Sequence, residues 1–518
     1  MNTIDDMKRL RAVIYSVLLF LLLAVAGEAG QSALRILHVN DFHGFAEPYT
    51  PLGSDEALGG IAYLAAEAGI LRREMPSLLL SAGDMIQGSN WANLFKGESV
   101  IEVMNEMGFD AMVVGNHEFD FGKEILAKRI SQARFPVLGA NVRGFDALLR
   151  PYVIREMNGV KVIIIGVVTD ETPVTTNPGN VTGLKFDPPA ETVDKYVREL
   201  KAPGDIVVVL SHRGYASDRA LAEKVKGIDV IVGGHSHTKL STPSVVGDTI
   251  IVQAWEHAKA LGVLDITVED GRIIKYEGRL DEIRPVGGFD MKAEAIVEKF
   301  EKEVDSALNE EVGYADGDLD GEKVRYQETN FGDLIADIIR KTSGAEVALI
   351  NGGSIRTGIH RGAIKRMDIY SVLPFDNYIV SVKLTGRQIM EALEHGVSAV
   401  EKGEGRFPQV SGLTFTYSRS AVPGNRVKEV FIRGVPIDPS GEYTVATNDF
   451  LAAGGDGYKA FGEAVRSSKD FSVTGGAMRG AKLVYSDSGR WLRDVVIQYI
   501  KGKKRVASTV EGRIVEEP

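Results

Sequence analysis

Leu34-Arg35-Ile36-Leu37-His38-Val39-Asn40-Asp41-Phe42-His43-Gly44 changes character at one point: an aliphatic run stops, and a carboxylate and an imidazole follow at once. The run is too short for a helix and reads as a buried strand. The same grammar recurs four times. SLLLS leads into Ala82-Gly83-Asp84, AMVV into Gly115-Asn116-His117-Glu118-Phe119-Asp120, DIVVVL into Ser211-His212, and DVIV into Gly233-Gly234-His235-Ser236-His237. In layered α/β folds, ligands sit just beyond the carboxyl ends of such strands. Five strand ends of this kind bring Asp, His and Asn side chains to one rim, which predicts a metal centre.

The donor set says what kind. A closed structural zinc site takes four protein ligands, fewer than are offered here. Two cations sharing a bridging carboxylate would use them, and Asp84, alone at its strand end after Gly83, is the bridging candidate. Such a pair clamps the attacking and leaving oxygens of an in-line displacement and makes hydroxide available near neutral pH. Imidazole and amide ligands beside only two carboxylates leave the site net positive, which suits a phosphoryl group. They point to Zn, Mn, Fe or Ni rather than Ca. A single strand-end histidine is more often a hydrogen-bonded structural residue; five blocks in one chain are not. His38, inside the first apolar run, is expected to be a satisfied core residue. His257, His360 and His395 fall outside the blocks and receive no role.

The blocks NDFHG, AGD, GNHEFD, SH and GGHSH resemble those of the calcineurin-like metallophosphoesterases, and in order and spacing those of the secreted 5′-nucleotidase family. The resemblance implies an α/β protein: a four-layer metallophosphoesterase domain, with helices flanking a β-sandwich, joined by a linker helix to a second α/β nucleotide-binding domain. It implies Asp41, His43, Asp84 and His237 around one divalent ion and Asp84, Asn116, His212 and His235 around a second, with Zn, Mn and Co the ions to test. Some family members carry Gln or Asn where this chain has His237. His117 and Asp120 match the family's catalytic pair: His117 steadies the phosphoryl transition state and Asp120 orients its imidazole.

The rest of the chain is consistent with an enzyme of small molecules. At 518 residues it holds more than one domain. A net charge of −11 argues against a nucleic-acid partner. With no cysteine, disulfides, thiolate ligands and a lipoprotein anchor are all excluded. Lys8, Arg9 and Arg11 precede an apolar run from Ala12 to Ala26 and small residues near Gly27, Ala29 and Gly30, the pattern of a secretory signal over 1–30. Export to the periplasm or the medium follows, with no stable membrane insertion after cleavage; an uncleaved N-terminal anchor is the alternative. Glu516-Glu517-Pro518 offers no apolar tail for a GPI signal. Domain limits are read at 33–284 and 311–518. Between them, 285–310 holds the breaker Pro285-Val286-Gly287-Gly288 and then Met291–Leu308, apolar at helical spacing. Oligomeric state is left open.

In the second domain Asn351-Gly352-Gly353-Ser354-Ile355-Arg356 follows the run VALI, so a Gly-rich turn leaves a strand and aims an arginine. Glycines there allow close backbone approach to a ligand, and Arg356 can fork onto a phosphate or ribose oxygen. RYQETN (325–330), LPFDN (373–377) and NDFLAAGGDG (448–457) complete the family pattern. The resemblance then implies that Phe375 and Phe450 sandwich a nucleobase, Asp456 binds ribose hydroxyls, and Arg325, Asn351, Gly353 and Arg356 complete the nucleotide seat. It implies 5′-nucleotidase activity by metal-activated water. The alternatives are hydrolysis of UDP-sugars, NAD or 2′,3′-cyclic nucleotides in the same site, a thiosulfohydrolase, or a non-catalytic binder.

Overall fold

The computed structural model describes residues 31–50, 55–145, 147–468, 470–474 and 477–517; the expected export signal lies outside them. Twelve strands build the two large sheets of the first lobe: β1 (Ser32–Val39), β2 (Ser77–Ser81), β3 (Ala111–Val113), β4 (Val137–Leu138), β5 (Tyr152–Met157), β6 (Val160–Val168), β7 (Ile206–His212), β8 (Val230–Gly233), β9 (Ser244–Val246), β10 (Thr249–Gln253), β11 (Ala260–Glu269) and β12 (Arg272–Glu282). They form two six-stranded sheets, in the orders β12-β11-β1-β2-β3-β4 and β9-β10-β8-β7-β6-β5.

Period-two alternation assigns each strand's two faces. Leu34 and Ile36 of β1 and Val208 and Leu210 of β7 meet between the sheets, in a core shared with Leu80, Val113 and Val232. Leu37 and Val39 point the other way, onto helices 61–74, 98–107 and 123–132. Val207 and Val209 face helices 189–200 and 215–224. The result is helix, sheet, sheet, helix: the four layers expected. β1, β2 and β3 run parallel in one sheet, and β6, β7 and β8 in the other. Within each sheet the carboxyl ends open at one edge, and the two edges coincide: His212, the last residue of β7, lies 3.0 Å from Asp84, just past β2. The expected hairpin is β11–β12, antiparallel with a bulge at Thr267/Val268.

The helix expected as a connector spans Met291–Leu308, its first turn capped by Asp290 on the amides of Lys292 and Ala293 at 3.0 and 2.9 Å. It is not free-standing. Ala293, Val297 and Phe300 are buried in the first lobe's core, and Trp91 Nε1 donates to the Val297 carbonyl at 3.3 Å.

The second lobe centres on a five-stranded sheet of Val347–Asn351, Tyr378–Thr385, Pro408–Ser411, Glu442–Asn448 and Leu483–Trp491. Helices 330–343 and 492–503 cover one face, and helices 386–397 and 459–466 the other. The lobes touch beside the cleft, where Asn90 Nδ2 donates to the Met367 carbonyl at 2.8 Å and to Ser371 Oγ at 3.0 Å. Among the described residues no helix is long and apolar enough to cross a membrane.

Candidate active site

The five strand-end segments converge. Asp41, His43 and His237 present ligand atoms within 4.8 Å of one another, as do Asp84, His212 and His235. Asp84 links the two groups: its Oδ2 lies 3.0 Å from His212 Nε2 and 4.0 Å from His43 Nε2. Asp41, His43, Asp84, His235 and His237 all have φ between 50° and 77°, in the left-handed region. Strain of this kind costs about 1–3 kcal/mol per residue and persists only where the surroundings over-determine it. Here they do. Gly83 and Gly115 leave no room for a Cβ, which would strike backbone, His212 or Asp84. Buried Glu118 gathers the amides of Asp84, Met85 and Gly115 at 2.9, 2.7 and 2.5 Å.

Tautomers reveal what the donors want. A carbonyl can only accept, so the Nδ1 atoms of His43 and His212 must donate to Gln87 O (2.8 Å) and Ala82 O (2.7 Å). His237 Nδ1 donates to the Glu256 carboxylate. The Nε2 atoms of His43 and His237, 3.3 Å apart, then both present lone pairs. His212 Nε2 is buried 3.0 Å from Asp84 Oδ2, without an aligned hydrogen bond. Asn116 Oδ1 is buried with no partner. Facing lone pairs repel unless a cation lies between them, so this donor set fits divalent metals.

His117 stands beside this cage on a single turn of 3₁₀ helix. Its Nδ1 meets Asp120 Oδ2 at 2.6 Å, and Thr176 donates to Asp120 Oδ1 at 2.5 Å. Burial opposes the imidazolium, but Asp120 and Asp84 prevail and hold His117 above its ordinary pKa. Its Nε2, 4.0 Å from Asp84 Oδ2, faces the cleft.

The opposite wall comes from the second lobe. One cleft of about 1230 Å³ is lined by Asp84, Asn116, His117, Asp120, His235 and His237 on one side; Arg325, Asn351, Gly353, Arg356, Phe375, Phe450 and Asp456 line the other. Arg356 crosses to the metal rim, its Nη2 3.3 Å from His43 Nε2. Burial, then Arg325, pulls this guanidinium down to about 10, still charged at neutral pH. The Phe375 ring lies 5.9 Å from that of His117, inclined by 28°. Asn351 Nδ2 donates to Asp456 Oδ2 at 2.6 Å, and Ser354 and Asn448 complete the network behind it. Burial raises the Asp456 pKa against the pull of Asn351, Arg325 and Arg406.

Both halves of the chain match known families. Residues 34–239 match the calcineurin-like phosphoesterase model and residues 311–463 the 5′-nucleotidase C-terminal domain. Human 5′-nucleotidase is 32% identical, the match covering 94% of this chain and 91% of the human one. The chain belongs to the 5′-nucleotidase family. A crystal structure of a 5′-nucleotidase precursor from Thermus thermophilus superposes with a TM-score of 0.83 at 35% identity, covering 94% of this chain and all of that one. A trifunctional nucleotide phosphoesterase of Bacillus subtilis (strain 168) is 33% identical over 93% of this chain, which spans 35% of that protein. As a member of this family the protein is a metal-dependent phosphoric ester hydrolase.

Several residues of this nucleotidase-family site carried no role in the sequence reading. Glu118 sits inside the GNHEFD block but turns away from the metals to hold the loop. His395 Nε2 meets the Asp456 carbonyl at 2.7 Å and fixes that turn; its signal was only its helix. His257 stacks on Phe45 with ring centroids 3.9 Å apart, beside His43 and His237, and no motif flags it. His38 is a core residue as expected, yet its Nδ1 has no partner, so it is not satisfied. Gly352 and Gly353 are both closely packed: a Cβ on Gly352 would strike the Val324 carbonyl, and one on Gly353, which also lines the cleft, would meet the Gly405 backbone at 2.9 Å. In RYQETN, Arg325 reaches the cleft, while Glu328 binds the amides of Glu511, Gly512 and Ile514 and Thr329 caps helix 330–343.

Proposed function

We propose that the protein is an exported 5′-nucleotidase, releasing phosphate from nucleoside 5′-monophosphates with two divalent ions. One observation carries this reading: a single cleft places a cluster of candidate metal ligands opposite two arginines, two half-buried phenylalanines and the half-buried Asp456 carboxylate. Asp41, His43, Asp84 and His237 would hold one ion, and Asp84, Asn116, His212 and His235 the other. When bound, such ions polarise phosphoryl oxygens and lower the pKa of water.

The chain's own residues do the rest. Phe375 and Phe450 stack the base, worth roughly 1–3 kcal/mol per aromatic contact and tolerant of base identity. Asp456, pinned by Asn351 through one oxygen, offers the other to ribose hydroxyls. Arg325 and Arg356 take phosphate oxygens and draw the ester toward the first lobe. His117, its imidazolium favoured by Asp120, donates from Nε2 to a phosphoryl oxygen as charge develops there.

The cleft exceeds the roughly 300–1,000 Å³ of ordinary small-ligand sites, which favours a second reading: pyrophosphate-bearing nucleotides are also hydrolysed. Phosphate release from AMP, ADP, UDP-glucose and 2′,3′-cyclic AMP, with Mn, Zn or Co and an EDTA control, tests both. Fast, chelator-sensitive release from AMP is the expected result. No release from any of the four would sink the proposal.

A further inference from the structure

We infer that Glu256, on a strained loop outside every recognised block, is the positioning residue for His237 and sets the affinity of the ion that His237 helps to hold. The inference rests on the ligand assignment above.

Glu256 bridges two groups. Its Oε2 accepts His237 Nδ1–H, and its Oε1 accepts Lys259 Nζ at 2.6 Å. With Nδ1 committed, His237 turns Nε2 into the cage, 3.5 Å from Asp41 Oδ1 and 3.3 Å from His43 Nε2. A carboxylate on the far nitrogen fixes the tautomer and ring angle and makes the ligating nitrogen a better donor. Lys259 in turn fixes Glu256. It is 6% exposed, and its ammonium lies 4.7 Å from the Trp255 ring centroid and 5.2 Å from that of Tyr49.

The backbone supports the same assignment. Trp255, His257 and Ala258 have φ of 64°, 54° and 54°, a cluster of left-handed residues without a glycine. Such strain needs anchorage, and the first ligand segment supplies it. Asn40 Nδ2 donates to the Trp255 carbonyl at 2.6 Å, Asn40 Oδ1 accepts the Ala254 amide at 2.7 Å, and the His257 amide donates to the Asp41 carbonyl at 2.8 Å. The loop carrying Glu256 is therefore tied to the segment carrying Asp41, and both close on one cation position.

The test is calorimetric titration of the chelator-stripped full chain with Mn(II), comparing wild type, Glu256→Gln, His237→Asn and the double variant, with circular dichroism as the folding control. Wild type is expected to take two ions. Glu256→Gln should weaken one of them about 10–100-fold and leave the other unchanged. In the His237→Asn background the Glu256→Gln change should add nothing, because the two residues act through one contact. Two wild-type affinities in Glu256→Gln, or an equal loss in the His237→Asn background, would overturn the inference. Fewer than two ions in wild type would instead remove the ligand assignment. Should Glu256→Gln fail to fold, histidine ¹⁵N spectra of the zinc-loaded wild type decide, with the His237→Asn spectrum identifying the resonance. A protonated Nδ1 on His237 is required, and a protonated Nε2 refutes the role.

Discussion

The two walls of the cleft are built on opposite plans. On the first, each candidate ligand ends or follows a buried parallel strand, five of them in left-handed backbone, with carbonyls and a carboxylate fixing the imidazole tautomers. On the second, the cleft-lining residues sit on loops, short turns and one strand end, positioned by side-chain networks such as Asn351–Asp456 and His395–Asp456. The first wall is set by covalent geometry and sheet register, so a change there has nowhere to relax. The second is set by hydrogen bonds and ring contacts that can readjust. Phosphoryl transfer needs the former, and the proposed base stacking would be served by the latter.

If the contrast holds, damage should fall in order from the metals outward. Asp84→Asn, at the junction of both ligand groups, should reduce kcat to background and leave fewer than two ions per chain by elemental analysis. Two ions still tightly held would break the bridging role. His117→Ala should lose roughly 10²–10³-fold in kcat while keeping both metals and the KM for AMP. Loss of metal would place His117 in the cage rather than beside it. Phe450→Ala on the opposite wall should raise KM for AMP about 10-fold, a value within the stacking range, and leave hydrolysis of p-nitrophenyl phosphate intact. Equal damage to both substrates would make Phe450 a core residue.

The smallest effect lies behind the second wall. Asp333 is buried against Glu328 and the 511–514 segment, and burial, then Glu328, pushes its pKa up to about 8 from an ordinary 3.8. The folded chain thus keeps a proton that the unfolded chain releases between about pH 4 and 8, so this group's contribution to stability falls as pH rises through that window. Asp333→Asn should flatten the fall, seen as a smaller difference between urea midpoints at pH 5 and pH 8. An unchanged difference would mean that Asp333 is ionised in the fold.

Legibility differed between the walls for the same physical reason. Asp41, Asp84, Asn116, His212 and His235 each close an aliphatic run, so strand and ligand are adjacent in sequence and one predicts the other. The His117–Asp120 pair is nearly as local, its members three residues apart across one helical turn. Glu256 and Lys259 left no such trace. They act on His237 from 19 and 22 positions away, across two strands, and their loop carries no apolar punctuation.

The amino-acid sequence alone determined the strand-end blocks, the layered class and the family, because hydrophobic periodicity and residue spacing are properties of a few consecutive residues. Only the tertiary structure decided that Arg356 reaches His43 across the cleft, that the linker helix belongs to the first lobe's core, and that the paired glycines lie against the Val324 and Gly405 backbone. Those facts depend on contacts between segments far apart in the chain. Such contacts are chosen by packing and by the pairing of buried polar groups, terms that no local window of sequence contains.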